Sequence, residues 1–155
     1  MRELPHTKSC FVCGENNPIG FQQRFETDGH VVRTRFTPRT EHAGFKGVLH
    51  GGVLATLMDE IMVWACAVKA RKFCFCAEMT IRFHRPATPG QELVAEAALV
   101  ADRRGRIFET KAEARNAAGE LLAASTGKYM PIRDADFAEL QADLVGDADW
   151  LLKAG

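Results

Sequence analysis

An α+β fold, with one long central helix wrapped by a curved antiparallel sheet, is what the 155 residues predict. Two observations carry the prediction. The stretch from about His50 to Ala70 is nearly all apolar and has the length of a helix, and after it the pattern changes to period two. A helix apolar nearly all round must be covered nearly all round, and a single sheet curling about it supplies that cover. Length and composition agree with one domain, residues 1–155, since 46% of the chain is hydrophobic and a chain of this size buries a real core.

Taken in order, residues 1–18 read as an irregular segment, with "CGENNPIG" supplying turn residues. "FQQRFETDGHVVRTRF" then reads as two short strands about a two-residue hairpin turn at Asp28-Gly29. "TPRTEHAGFKG" is a connecting loop ahead of the long helix. Four strands follow: "FCFCAEMTIRFH", "ELVAEAALVAD", "IFETKAEARNA" and "ELLAASTGKYMPI", divided by "RPATPGQ", "RRGR" and "AG". Several carry Ala and Glu, which favour helix by propensity, yet their alternation argues for strand. Residues 134–155 form an acidic, helical tail.

Charge and motif content narrow the function classes. Twenty Lys and Arg balance twenty Asp and Glu. That neutrality argues against nucleic acid or an anionic membrane surface as the main partner. The N-terminus lacks the apolar core of a signal peptide, and the run from Val53 to Val68 is interrupted by Thr56, Asp59 and Glu60 and is shorter than a membrane span needs. Five cysteines without a disulfide-framework spacing suit a reducing, cytoplasmic setting.

The helix itself raises the chemical question. Its first backbone N–H groups have no internal partner, and Gly51 and Gly52 let a substrate oxygen approach them, the specification of an oxyanion hole. Two glycines also ease a tight entry from loop to helix. Asp59 and Glu60 point about 100° apart around the helix and so do not form a shared dyad. A carboxylate buried there has its pKa raised unless partners compensate, which suits general-base work; an edge salt bridge to Arg82 or Lys128 is the structural alternative. Asp59 lies eight residues beyond Gly51, or ~12 Å along the helix. One carbonyl cannot sit ~3 Å from both. A two-fold dimer, placing the helix start of one chain against Asp59 of the other, would complete two such sites at once.

"GVLHGGVLATLMDE" followed by "AEMTIRFHRPATPGQEL" resembles the hotdog-fold thioesterases, in particular their phenylacetate-degradation type branch. The likeness runs from about Ile19 to Pro131, and "CFVCGENNPIGF" looks like an N-terminal signature of a subset of that family. The resemblance implies a hotdog fold, a homodimer or dimer of dimers, and hydrolysis of an acyl-CoA thioester without a cofactor. It implies that Asp59 is the general base or nucleophile and that the Gly51 N–H polarises the thioester carbonyl. Two positions depart from the family. Cys76 stands where Ser or Thr commonly orients the attacking water, and Ala43-Gly44 stands where a Gln or Asn is common, with His42 beside them as a substitute.

His50 either contacts the thioester or caps and orients the loop. Gly52 and Cys76 are assigned to substrate binding, and Arg82, Arg85 and Arg104 are candidates for the phosphates of coenzyme A. The "DRRGR" turn that holds Arg104 also reads as a solvated surface turn. Cys10 and Cys13 give half of a zinc site by spacing; with no second pair they read as a structural turn, and no metal is assigned. Trp64 and Met62 read as core. Competing functions are a non-catalytic acyl-CoA-binding module or regulator, and a hotdog dehydratase.

Overall fold

The structure, a computed structural model, describes residues 1–152. Its elements are β1 (Arg2–Glu3), β2 (His6–Thr7), β3 (Glu26–Thr27), β4 (Val32–Phe36), α1 (Gly51–Ala70), β5 (Cys74–Phe83), β6 (Leu93–Arg103), β7 (Ile107–Asn116), β8 (Leu121–Pro131), α2 (Asp134–Asp143), β9 (Leu144–Val145) and α3 (Asp149–Leu152). Seven strands form one antiparallel sheet in the order β1-β3-β4-β6-β7-β8-β5, and β2 pairs with β9 in a separate ribbon.

Alternation decides the long strands. In β7 and β8 every second residue is buried, so Phe108, Thr110, Ala112 and Ala114 share an inner face with Ala123, Ser125, Gly127 and Tyr129. Glu and Lys between them point outward, which is why a composition rich in Ala and Glu is extended here. Alanine on the inner face, including Ala95 and Ala97 of β6, lets α1 lie close to the sheet. Leu57, Met58, Ile61 and Met62 of α1 are wholly buried. By length and composition α1 could cross a bilayer, but it is the core helix of this fold.

The cover of α1 is shared rather than supplied by the sheet alone. Leu4, Val12, Cys13 and Phe25 of the N-terminal segment join the core, as does Leu151 of the tail. Residues 1–18 are therefore more ordered than their composition suggests: β1 pairs with β3, and β2 with β9. Strands of two residues are too short to display a period. The turn after β3 also differs from the expected two-residue form. It spans Asp28 to Val31, because the Asp28 carboxylate accepts from the His30 and Val31 N–H groups at 2.8 and 2.9 Å. The tail is helical in two pieces, separated by β9; its residues 153–155 lie outside the described residues.

Candidate active site

Two places on α1 matter, its start and its middle. At its start His50 is the N-cap: its Nδ1 accepts from the Gly52 N–H at 2.9 Å. That bond assigns the ring to orienting the helix start and commits the Gly52 amide to the cap. The Val53 and Leu54 amides turn back to the His50 carbonyl. Among the described residues none accepts from the Gly51 N–H, which leaves this donor available at the positive end of the helix. A cleft of ≈ 340 Å³ opens beside it, bounded by Leu54, Phe83, Arg85 and Pro86. The Phe83 ring lies so near Gly51 that a Cβ there would meet it at 3.2 Å.

Two turns further on, Asp59 meets β8. The Tyr129 hydroxyl donates to Asp59 Oδ1 at 2.8 Å. Tyr129 itself is fully buried, and its phenol is pushed well above its ordinary pKa, first by burial and then by the adjoining Asp59 charge. It therefore stays a neutral donor. Cys76, on β5 directly across from Tyr129 in register, completes the cluster. Burial and then the Asp59 carboxylate raise the Cys76 thiol, so it remains protonated at neutral pH. The position of Tyr129 depends on Gly127: a Cβ at 127 would lie 2.5 Å from Tyr129 Cε2. Absence of a side chain there makes room for the ring that reaches Asp59.

Glu60 faces elsewhere. Its carboxylate accepts from Trp64 Nε1 at 3.2 Å and lies 3.6 and 3.7 Å from Cys10 Sγ. Burial pushes it up to about 8. The two adjacent acids thus serve opposite surroundings, Asp59 the sheet and Glu60 the N-terminal segment. Neither makes an edge salt bridge to Lys128, whose partner is Glu78.

The basic residues divide between the two ends of the sheet. Arg85 lines the cleft at Gly51 and lies 3.8 Å from Glu120. Arg82 is exposed on β5. Arg104 occupies the turn between β6 and β7, beyond the Tyr129 row and so at the far end from Arg85. The ring of His42, offered as a substitute for the missing Gln or Asn, is engaged within its own loop: its Nδ1 accepts from the Arg39 N–H at 3.0 Å, and it stacks on Phe36 at 5.9 Å. Its carbonyl accepts from the His50 N–H.

Tyr129, the partner of Asp59, is the candidate site residue that sequence reasoning missed. It is the sole tyrosine of the chain and stands two residues after a glycine on an inward-facing register, a signal open to inspection.

The sequence pattern of the thioesterase superfamily matches residues 46–123, from ahead of α1 into β8. The chain belongs to that superfamily, and its helix-on-sheet architecture is the hotdog fold of its solved relatives. A crystallised thioesterase superfamily protein is 28% identical, with TM-score 0.72 over 78% of this chain, which spans 59% of the relative's length. The Escherichia coli PaaI protein of the phenylacetic acid degradation operon is 22% identical, with TM-score 0.66 and coverage of 73% and 81% of the two chains. A Streptococcus mutans protein solved with acetyl-CoA bound is 15% identical, with TM-score 0.67 and coverage of 76% and 94%. No curated protein matches the sequence.

Proposed function

We infer that this protein is an acyl-CoA thioesterase that works as a homodimer, releasing free acid and coenzyme A. The carrying observation is the Asp59 carboxylate, oriented by Tyr129 and set on a partly exposed stripe of α1 with Gly52, Ala55, Thr56 and Val63. Asp59 acts as general base or as nucleophile. The Gly51 N–H stabilises the oxyanion, and because the two lie ~12 Å apart along one helix, the reading requires that they act together across a chain interface. The half-exposed Phe83 at the end of β5, an edge strand of the sheet, lies with its ring against Gly51 and supports a pairing surface beside that stripe.

Acetyl-CoA in one structural neighbour and coenzyme A in another, from Streptococcus pneumoniae, support a CoA thioester as substrate. Arg82, Arg85 and Arg104 are exposed and available for its phosphates. The free cysteines suit a cytoplasmic location. The test is a panel of acyl-CoAs assayed for thiol release by wild type and Asp59→Asn. Turnover of at least one member by wild type, lost in the variant, is the expected result. Binding of acyl-CoA without release by either would make the chain a binding module.

A further inference from the structure

We propose that Cys10, Cys13 and Glu60 form a binding site for one divalent zinc-like ion that clamps the N-terminal segment to α1. The ligand atoms of these three residues all lie within 4.8 Å of one another. With Zn–S near 2.3 Å and Zn–O near 2.0 Å, a tetrahedral ion has S···O edges of about 3.5 Å. The two carboxylate oxygens of Glu60 stand 3.6 and 3.7 Å from Cys10 Sγ, so the set closes on an ion with little movement.

The loop is shaped for the purpose. Cys10-Phe11-Val12-Cys13-Gly14 folds back so that the Val12 N–H points at Cys10 Sγ, 3.3 Å away, and the Gly14 N–H reaches the Cys10 carbonyl at 2.8 Å. Backbone N–H donation to sulfur stabilises a metal-bound thiolate. Gly14 has no room for a side chain, since a Cβ would lie 2.3 Å from that carbonyl oxygen. A second layer holds the ligands. Thr7 Oγ1 lies 3.5 Å from Cys13 Sγ and accepts from the Cys10 N–H at 3.0 Å, while Trp64 Nε1 donates to Glu60.

Charge supplies the driving force. Three groups that are anionic when ligating are gathered on the buried side of α1, and among the described residues no Lys, Arg or His side chain bonds to their donor atoms. Arg24 Nη1 donates to the carbonyls of Cys13, Gln23 and Gln22, at 3.0, 3.1 and 3.2 Å, and to none of the three ligand groups. Cys13 is wholly buried and Cys10 half-buried, so a fourth position opens toward Cys10 for water. The C-x-x-C motif gains from α1 the third ligand that its own neighbourhood in sequence lacks.

The inference is independent of the acyl-CoA reading, and its test does not use activity. Fully reduced, chelator-stripped protein is titrated with Co²⁺, followed by Zn²⁺ in competition with a chromophoric chelator. One ion per chain, a thiolate-to-cobalt charge-transfer band and tetrahedral ligand-field bands are expected, with displacement by Zn²⁺. Cys10→Ser and Cys13→Ser should lose the two-thiolate spectrum. Glu60→Gln should keep the charge transfer but bind at least ~10-fold more weakly. Cys76→Ser should bind as wild type. Should Cys13→Ser fail to fold, the partly exposed Cys10 and the Glu60 variant still decide the matter. A reduced, folded wild type that shows no charge-transfer band, or a band of undiminished intensity in Cys10→Ser, overturns the proposal.

Discussion

At Asp59 the important bond is local: a phenol that cannot readily ionise donates at 2.8 Å to a carboxylate on the partly exposed side of α1. Asp59→Asn keeps the shape and removes the base, so thiol release should fall at least ~10²-fold in a steady-state assay. Tyr129→Phe removes one hydrogen bond to a charged group, worth about 1.5–3 kcal/mol, so kcat should fall ~10-fold or more while KM changes little. Tyr129 is a positioning residue in this reading, and retention of KM separates that role from substrate binding. Cys76 tests the same cluster by pH. Burial and the Asp59 charge hold its thiol above the ordinary range, so its alkylation rate at pH 8 is slow and still rising. Removing the charge in Asp59→Asn lowers the thiol pKa, enlarges the thiolate fraction and should speed Cys76 alkylation, measured by peptide mass spectrometry. Cys76→Ser should preserve or improve turnover; trapping of an acyl-cysteine would instead make this thiol the nucleophile.

Among the elements, β8 shows how a strand aims a side chain from α1's opposite wall. Gly127→Ala would drive a methyl into the Tyr129 ring, so the hydroxyl should leave Asp59 and kcat should drop toward the Tyr129→Phe value, with near-native circular dichroism as the control. The long elements were legible because burial repeats along them: α1 by its apolar run, β5 to β8 by alternation that overrode the helix propensity of Ala and Glu. The ribbon of β2 and β9 and the pairing of β1 with β3 were not, since a two-residue strand holds one period at most. Asp59, Gly51 and His50 could be picked out from the "HGG" start and the lone acids in an apolar run. Tyr129 is seventy residues away and meets Asp59 only through sheet register. The Cys10–Glu60 proximity likewise depends on a fold-back that no local pattern reports.

For the whole molecule, the proposed joint use of Gly51 and Asp59 at one carbonyl requires subunit pairing, given their ~12 Å separation along α1. Mixing two inactive variants examines it. Asp59→Asn lacks the acid, and Gly51→Val places a side chain against Phe83 at the helix start. In a mixed dimer one shared site draws Asp59 and Gly51 from different chains and is wholly intact, while the other carries both defects. Random re-pairing makes half the dimers mixed, so activity should recover to roughly a quarter of wild type. Confirmed subunit exchange without recovery would place the site within a single chain.

Two of the three irregularities in the sheet have a consequence of their own. β5 skips a residue between Cys76 and Glu78, and β6 skips one between Leu99 and Ala101, in neighbouring rows. Each skip reverses parity: on β5 the inward positions are even-numbered at Cys74 and Cys76 but odd-numbered at Met79 and Ile81. The site therefore depends on a count as well as on a composition. Deleting Ala77, which touches none of the chemical groups, would force the strand to keep one parity throughout and turn either Cys76 away from Asp59 or Met79 and Ile81 away from the core. A chain lacking that one alanine should lose turnover or solubility with every site residue still present, whereas Ala77→Gly, which preserves the count, should retain both.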